Sequence, residues 1–156
     1  MLLKSRKLNG CTGHDAGREL LAQMVREYTD KEMPEILVTQ RGKPYFSDGP
    51  HFSISHTKNT VFCALSDYPI GIDAEELDRA IDLRLAEKIL SPAEKAQWDA
   101  AEDKRLALLT FWVLKEAAAK YTGEGLKGYP DQTDFSLNDP RVQTIDGCLV
   151  AAIEER

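Results

Sequence analysis

The chain has 156 residues, 42% of them hydrophobic, which is enough for one compact unit that folds without disulfides. Its formal net charge of −6 argues against a nucleic-acid-binding protein, because such proteins are usually basic. No apolar run reaches the length of a membrane span or a signal peptide, and three widely spaced cysteines predict free thiols. We therefore expect a cytoplasmic protein with no nucleic-acid or membrane partner.

The first half of the chain predicts one helix followed by short strands. Residues 15–30 place their apolar side chains on one stripe at helical spacing, which predicts the helix. Residues 41–44 have the composition of a turn. Runs of alternating or continuous apolar residues predict strands at 36–39, 51–55, 60–66 and 69–75.

The second half predicts helices and then strands. Ser91 and Glu94 form a capping-box pattern, with proline between them at the first helical position, which starts a new helix. The predicted helices cover 82–90, 91–101 and 103–122, and the predicted strands cover 134–137, 141–145 and 148–153. The last two strands flank Asp146-Gly147, a hairpin turn pair. Together the elements predict an α+β fold with helices packed on a mainly antiparallel sheet.

Two acidic clusters, at 71–75 and 112–120, are the most informative part of the sequence. Asp73 and Glu75 alternate along a strand and therefore leave the same face. Glu116 and Lys120 lie four residues apart and share one face of a helix. If that helix packs on that strand, three carboxylates and one ammonium converge, a donor set that suits Mg²⁺ together with substrate phosphates.

Each cluster also has an ordinary explanation. The acidic pair at the strand end is equally typical of a solvated surface, and the pair on the helix of a simple stabilising ion pair. Lys115 is typical of a surface charge unless the aromatic residues before it turn this stretch inward.

The stretch 52–56 offers a possible anion site. Ser53 and Ser55 share one face of a strand, and His56 stands where the strand gives way to a polar turn, so that hydroxyl, imidazole and backbone N–H groups can meet an anion. A loop histidine with no ligand is the alternative. A serine hydrolase is excluded on form, because no GxSxG elbow is present and adjacent Ser55 and His56 cannot easily form the triad hydrogen bond.

Four motifs taken in order resemble one family. They are Gly42-Lys43-Pro44, Phe52-Ser53-Ile54-Ser55-His56, Gly71-Ile72-Asp73-Ala74-Glu75, and Trp112-Val113-Leu114-Lys115-Glu116-Ala117-Ala118-Ala119-Lys120. They are similar to the motifs of the 4′-phosphopantetheinyl transferases, of the larger surfactin-synthetase type rather than the short type. The resemblance implies two small α/β lobes related by a pseudo-twofold axis, within a single domain over 1–156 whose lobes meet near 66–70.

The resemblance also implies a reaction: transfer of 4′-phosphopantetheine from coenzyme A to a serine of an apo acyl or peptidyl carrier protein, with release of 3′,5′-ADP. Asp73, Glu75 and Glu116 would hold Mg²⁺, Glu116 would also serve as the base for the carrier serine, and Lys120 would bind the pyrophosphate and assist the leaving group. The residues implied to contact coenzyme A are Arg18, Lys43, Ser55, His56, Lys115 and Lys120.

Two other functions stay open, and the second of them is favoured because the chain is shorter than that family type. One is a Mg²⁺-dependent hydrolase of coenzyme A or of a nucleotide pyrophosphate, which would use the same carboxylates. The other is a truncated relative that binds coenzyme A or a carrier protein without transfer. Because carrier proteins are acidic, we expect a local basic surface, with candidates at Arg84, Lys88, Lys104, Arg105 and Lys127.

Overall fold

The computed structural model describes residues 1–125 and 134–155. In chain order the elements are β1 (Leu2–Lys7), α1 (Gly13–Thr29), β2 (Ile36–Val38), β3 (Pro44–Phe46), β4 (His51–His56), β5 (Thr60–Ser66), β6 (Ile70–Glu76), a 3₁₀ turn (Leu83–Leu85), α2 (Ala86–Ile89), α3 (Pro92–Ala100), α4 (Lys104–Thr122), β7 (Val142–Ile145) and β8 (Cys148–Glu154). Lys127, one of the candidate basic residues, lies outside the described part of the chain.

The same topology occurs twice. In the first lobe α1 follows β1, and the antiparallel sheet has the order β1-β5-β4. In the second lobe α4 follows β6 after the 3₁₀ turn, α2 and α3, and the antiparallel sheet has the order β6-β8-β7. Each lobe therefore places its third strand between the first and the second, as the two similar lobes of the resemblance require. The α+β class with antiparallel sheets is confirmed, and β2 and β3 add a separate two-stranded ribbon.

Three apolar cores hold these layers together. The strand β5 alternates, so that Val61, Cys63 and Leu65 pack against α1 while Phe62 and Ala64 face the second sheet. The strand β8 does the same on the other side: its odd-numbered residues pack against α4 and its even-numbered residues face the first sheet. Period-two alternation thus produces a stack of helix, sheet, sheet and helix.

Most helix ends follow local chemistry that the sequence displays. The capping box at Ser91 and Glu94 forms with both of its hydrogen bonds, and Asp103 caps α4 by accepting from the Leu106 N–H. Gly123 ends α4 in the left-handed conformation at φ +73°. The predicted helix at 82–90 begins instead as a 3₁₀ turn and becomes α-helical only over Ala86–Ile89. Across the described residues no helix is both long enough and apolar enough to cross a membrane.

Three strand assignments were wrong or missed. Residues 134–137 form no strand, because the Gln97 side chain takes the place of a neighbouring strand: its amide donates to Phe135 O and accepts from Leu137 N. The sequence analysis did not predict β1, an edge strand with few apolar residues, or β3, which begins at a proline within the predicted turn region.

Candidate active site

The site begins where β6 crosses α4 with almost no space between them. A Cβ atom at Gly71 would lie 2.1 Å from Ala117 O and 2.2 Å from Tyr121 N, so only glycine permits this approach. Asp73 follows two residues later on the same strand face, and the helix residues it meets lie on the turn that carries Lys120. The crossing predicted from the sequence is therefore present, and Gly71 is what makes it close.

Asp73 binds Lys120 across this crossing. The Lys120 ammonium lies 2.9 Å from Asp73 Oδ1, and the Ser55 hydroxyl donates to the same oxygen at 3.2 Å. The other oxygen, Asp73 Oδ2, is buried and has no hydrogen-bond partner among the described residues. The anticipated ion pair between Glu116 and Lys120 is not formed within the described part of the chain; the lysine turns to the strand instead.

Glu75 is held by two groups on one oxygen. The Arg79 guanidinium contacts Glu75 Oε1, and the Trp112 indole N–H donates to that oxygen at 3.3 Å. Arg79 also lies over the Trp112 ring at 5.8 Å. The tryptophan of the helix motif thus fixes the second carboxylate of the strand motif.

The surroundings raise the pKa of all three carboxylates. Burial raises the pKa of Asp73, Glu75 and Glu116, and for Glu75 and Glu116 the negative charge of Asp73 raises the pKa further. Lys120 opposes these shifts without cancelling them. Additional positive charge would therefore stabilise the ionised form of these three carboxylates.

The donor set fits a hard cation that brings its own waters. Within the described residues no group of three or more acidic, histidine or cysteine side chains already forms a cage for a metal ion. Mg²⁺ does not require such a cage, since it usually takes one or two carboxylates and completes its shell with water and phosphate oxygens. The unpartnered Asp73 Oδ2 supplies one such donor. The half-buried carboxylates of Glu75 and Glu116 are close enough for the charge of Asp73 to raise their pKa.

A cavity of about 510 Å³ opens beside this cluster, between α4, β4 and the turn after β2. Glu116 and Lys120 line it from the helix, and Arg41 and Lys43 line it from the opposite side. Lys43 Nζ donates to Tyr121 O, and burial lowers the pKa of Lys43. Gly123 leaves room for the Lys43 stem, because a Cβ atom there would lie 2.8 Å from Lys43 Cδ.

Three of the basic residues expected to contact coenzyme A lie apart from this cavity, and Ser55 is not among its lining residues either. The Lys115 ammonium is 2.9 Å from Glu94 Oε1, on a fully buried carboxylate outside the cavity lining. His56 is exposed and its ring covers Gly13, where a Cβ atom would lie 2.4 Å from His56 Cγ. Arg18 is half-buried on α1 and is not among the lining residues. Of the cationic residues expected to contact coenzyme A, the structure therefore brings Lys43 and Lys120 to the cavity.

The sequence analysis missed two residues of the site. Arg41, treated as part of a turn, lines the cavity next to Lys43 and pairs with Glu124 at 3.4 Å. Its position directly before the glycine and lysine of the first motif was the available signal. Arg79 carried no signal, because its contact with Glu75 appears only in the folded structure. Trp112 stood in the helix motif without a role of its own, and its contact with Glu75 depends on how α4 packs against β6.

Three of the residues expected to form a basic surface contact other groups of the protein. Lys104 Nζ donates to Trp98 O at 2.7 Å, and Arg105 donates to Leu77 O at 2.7 Å, so both join neighbouring segments. Arg84 is strongly exposed and pairs with Asp82 beside it.

Fold and site define a two-lobed α+β protein whose charged cluster, at a helix–strand crossing, faces a cavity lined by cations. A family model, described as the 4′-phosphopantetheinyl transferase superfamily, matches residues 69–151, which is more than half of the chain. The chain belongs to this superfamily.

Curated relatives agree with this assignment. The chain is 31% identical over 140 residues to the 4′-phosphopantetheinyl transferase gsp of Aneurinibacillus migulanus, covering 84% of this chain and 58% of the relative. It is 36% identical over 124 residues to the 4′-phosphopantetheinyl transferase Sfp of Bacillus subtilis, covering 72% of this chain and 54% of the relative. It is 33% identical over 122 residues to the 4′-phosphopantetheinyl transferase HetI of a Nostoc strain, covering 71% and 52%. The chain therefore spans between half and three-fifths of the length of these relatives.

Proposed function

We propose that this protein transfers 4′-phosphopantetheine from coenzyme A to a serine of an apo acyl or peptidyl carrier protein and releases 3′,5′-ADP. The observation that carries the proposal is the contact between Lys120 and Asp73 at the edge of the cavity, with Glu75 and Glu116 in the same electrostatic cluster. Family membership and the names of the relatives support the same reaction.

Asp73, Glu75 and Glu116 are the residues that would hold Mg²⁺. When bound, the ion would neutralise charge on the pyrophosphate of coenzyme A and so favour displacement at phosphorus. Lys120 would bind a pyrophosphate oxygen and stabilise the charge that grows on the leaving group. It stands beside the cavity and is about one-third exposed, so that a substrate oxygen can compete with Asp73 for its ammonium.

Glu116 is the candidate base for the carrier serine. Its side chain makes no hydrogen bond or ion pair with another described residue, and it lines the cavity. Because burial raises the pKa of this carboxyl, Glu116 is a better proton acceptor than an exposed glutamate when it is ionised. It would accept the serine proton directly or through a water.

Lys43 is the second cation for the phosphates of coenzyme A, since its ammonium reaches the last turn of α4 at the cavity. The assignments of Arg18, His56 and Lys115 to coenzyme A remain predictions. The three cysteines are free, as expected from the sequence, and the cytoplasmic location stays a prediction.

The decisive experiment is intact-mass analysis of a panel of apo acyl and peptidyl carrier proteins incubated with coenzyme A and Mg²⁺. We expect one carrier to gain the mass of one phosphopantetheine, and the same carrier with its serine replaced by alanine to gain none. Asp73→Asn, which keeps the shape of the side chain, is the matched inactive variant. If no carrier is modified while coenzyme A is hydrolysed, the protein is a pyrophosphate hydrolase and the proposal fails.

A second candidate, left open by the sequence analysis, is a relative that binds without transfer. The chain spans 58% of the gsp protein and 54% of Sfp. This candidate predicts that coenzyme A raises the melting temperature while no carrier is modified and no coenzyme A is consumed.

A further inference from the structure

The two sheets meet at β4 and β6 through side chains instead of a backbone ladder. The Ile72 N–H donates to the Ser53 hydroxyl at 3.0 Å, and the Ala74 N–H donates to the Ser55 hydroxyl at 3.1 Å. Both serines are buried, with 7% and 5% of their surface exposed. Two hydroxyls two residues apart therefore satisfy alternate amides of the strand that carries Asp73.

Only one of these hydroxyls has a second task. The Ser55 hydroxyl donates its proton to Asp73 Oδ1 at 3.2 Å, whereas Ser53 makes no contact of this kind with a described carboxylate. A hydroxyl has one proton to donate, and accepting from Ala74 N while donating to Asp73 fixes the direction of that proton. The Ser55 hydroxyl therefore uses its proton and one acceptor position for hydrogen bonds within the protein.

We propose that Ser55 is a positioning residue for the cation site, an inference that rests on the proposed function. Its hydroxyl and the Lys120 ammonium both bind Asp73 Oδ1, and this leaves Oδ2 as the unpartnered oxygen for a cation. Ser55 then acts through Asp73 rather than by touching a phosphate of coenzyme A with its side chain. The contact with coenzyme A expected from the sequence would have to come from a neighbouring residue.

The test compares Ser55→Ala with Ser53→Ala. Both variants lose one hydrogen bond to a β6 amide and we expect similar falls in melting temperature, but only Ser55→Ala loses the bond to Asp73. Ser53 also lines the cavity, so Mg²⁺ binding is measured by calorimetry at a concentration of coenzyme A that saturates both variants. No carrier protein is added, so the readout does not require transfer. We expect Ser55→Ala to raise the Mg²⁺ dissociation constant about tenfold, as for one lost hydrogen bond to a charged group, and Ser53→Ala to leave it within about twofold.

Kinetics supply the second readout where transfer is detected. Ser55→Ala should lower kcat at a fixed, subsaturating Mg²⁺ concentration and leave the KM for coenzyme A nearly unchanged, and Ser55→Thr, which keeps a hydroxyl, should recover most of the loss. Ser55→Cys, which keeps the volume but donates weakly, replaces the alanine variant if that variant does not fold.

The possible failures can be told apart. Equal Mg²⁺ affinity in Ser55→Ala and Ser53→Ala overturns the positioning role, and so does a rise in the KM for coenzyme A with unchanged Mg²⁺ affinity, since the hydroxyl would then contact the substrate. Wild-type protein that binds no Mg²⁺ also overturns it. A tenfold loss of Mg²⁺ affinity in a protein that modifies no carrier supports the role of Ser55 and refutes the proposed transfer.

Discussion

Two ion pairs on α4 have the same geometry and different surroundings. Lys115 Nζ lies 2.9 Å from Glu94 Oε1, and Lys120 Nζ lies 2.9 Å from Asp73 Oδ1. In each pair the second carboxylate oxygen is buried without a partner among the described residues. Five residues separate the lysines, which places them about 140° apart around the helix.

What differs is access to solvent and to the cavity. The Glu94 side chain is 0% exposed and the Lys115 ammonium also lies over the Phe135 ring at 5.7 Å, so this pair is closed. In the other pair Asp73 is also buried, but Lys120 is 35% exposed, against 17% for Lys115, and lines the cavity. The two pairs therefore cannot be distinguished by their contact distance. They differ in whether a ligand in the cavity can reach the ammonium.

The largest expected effect breaks the closed pair. Lys115→Ala leaves Glu94 as an uncompensated buried charge, and we expect the free energy of unfolding to fall by about 3–5 kcal/mol in urea titrations. The double variant Glu94→Gln with Lys115→Met removes both charges and should recover much of that loss. A Lys115→Ala protein as stable as wild type would show that the pair is dispensable.

The open pair should respond in activity instead of stability. Lys120→Ala should lower kcat by about 100-fold if the lysine stabilises the leaving phosphate. Although Asp73 is also buried, the free energy of unfolding should fall by less than in Lys115→Ala, because the cavity lets water reach the place of the lost ammonium. Lys120→Arg keeps the charge with a different geometry and should rescue only part of the rate. An unchanged kcat in a folded Lys120→Ala protein would remove this lysine from the site.

A third variant tests whether the opposite side of the cavity serves the same ligand. Lys43→Ala should raise the KM for coenzyme A by about tenfold, the loss expected of one charge-assisted hydrogen bond, with little change in kcat. Dephospho-coenzyme A serves as the probe for the 3′-phosphate. If it penalises wild type and Lys43→Ala equally, Lys43 contacts another part of the ligand.

The smallest expected effect concerns the exposed pair of Arg41 and Glu124 at the cavity. Both side chains are more than half exposed, so Glu124→Gln should change the free energy of unfolding by only about 0.2–1 kcal/mol. Thermal melts of this variant and of Lys115→Ala compare how much an exposed and a buried ion pair contribute to stability. A loss comparable to that of Lys115→Ala would show that burial is not the deciding factor.

Local periodicity predicted which residues share a face, but not which residues meet. Strand alternation predicted that Asp73 and Glu75 share one face of β6, and in the structure both contact residues of α4. Helical spacing predicted that Glu116 and Lys120 share one face of α4, and in the structure both line the cavity. The partner of Lys120 was not predictable in this way, because Asp73 lies 47 residues away along the chain.

The contacts of Glu94 show the same limit of local patterns. The capping box correctly predicted that Glu94 lies at the start of α3, but the same side chain also binds Lys115, 21 residues further on. Gln97 likewise makes two hydrogen bonds to the stretch 134–137, where the sequence analysis predicted a strand and the structure has none. Such contacts depend on tertiary packing, and a pattern within ten or twenty residues does not contain them.

The apolar layer between the two sheets makes the lobes depend on each other. Phe62 and Ala64 of the first sheet pack against Ile72, Cys148 and Val150 of the second, all of them buried. A fragment limited to 69–151, the segment that the family model recognises, would expose that face to water. It would also lack residues 152–154 of β8, which pair with Ile72, Gly71 and Ile70. We therefore expect the unit that folds to be larger than the segment recognised by sequence, and we expect two halves cut near Asp67 to expose this apolar face unless they recombine.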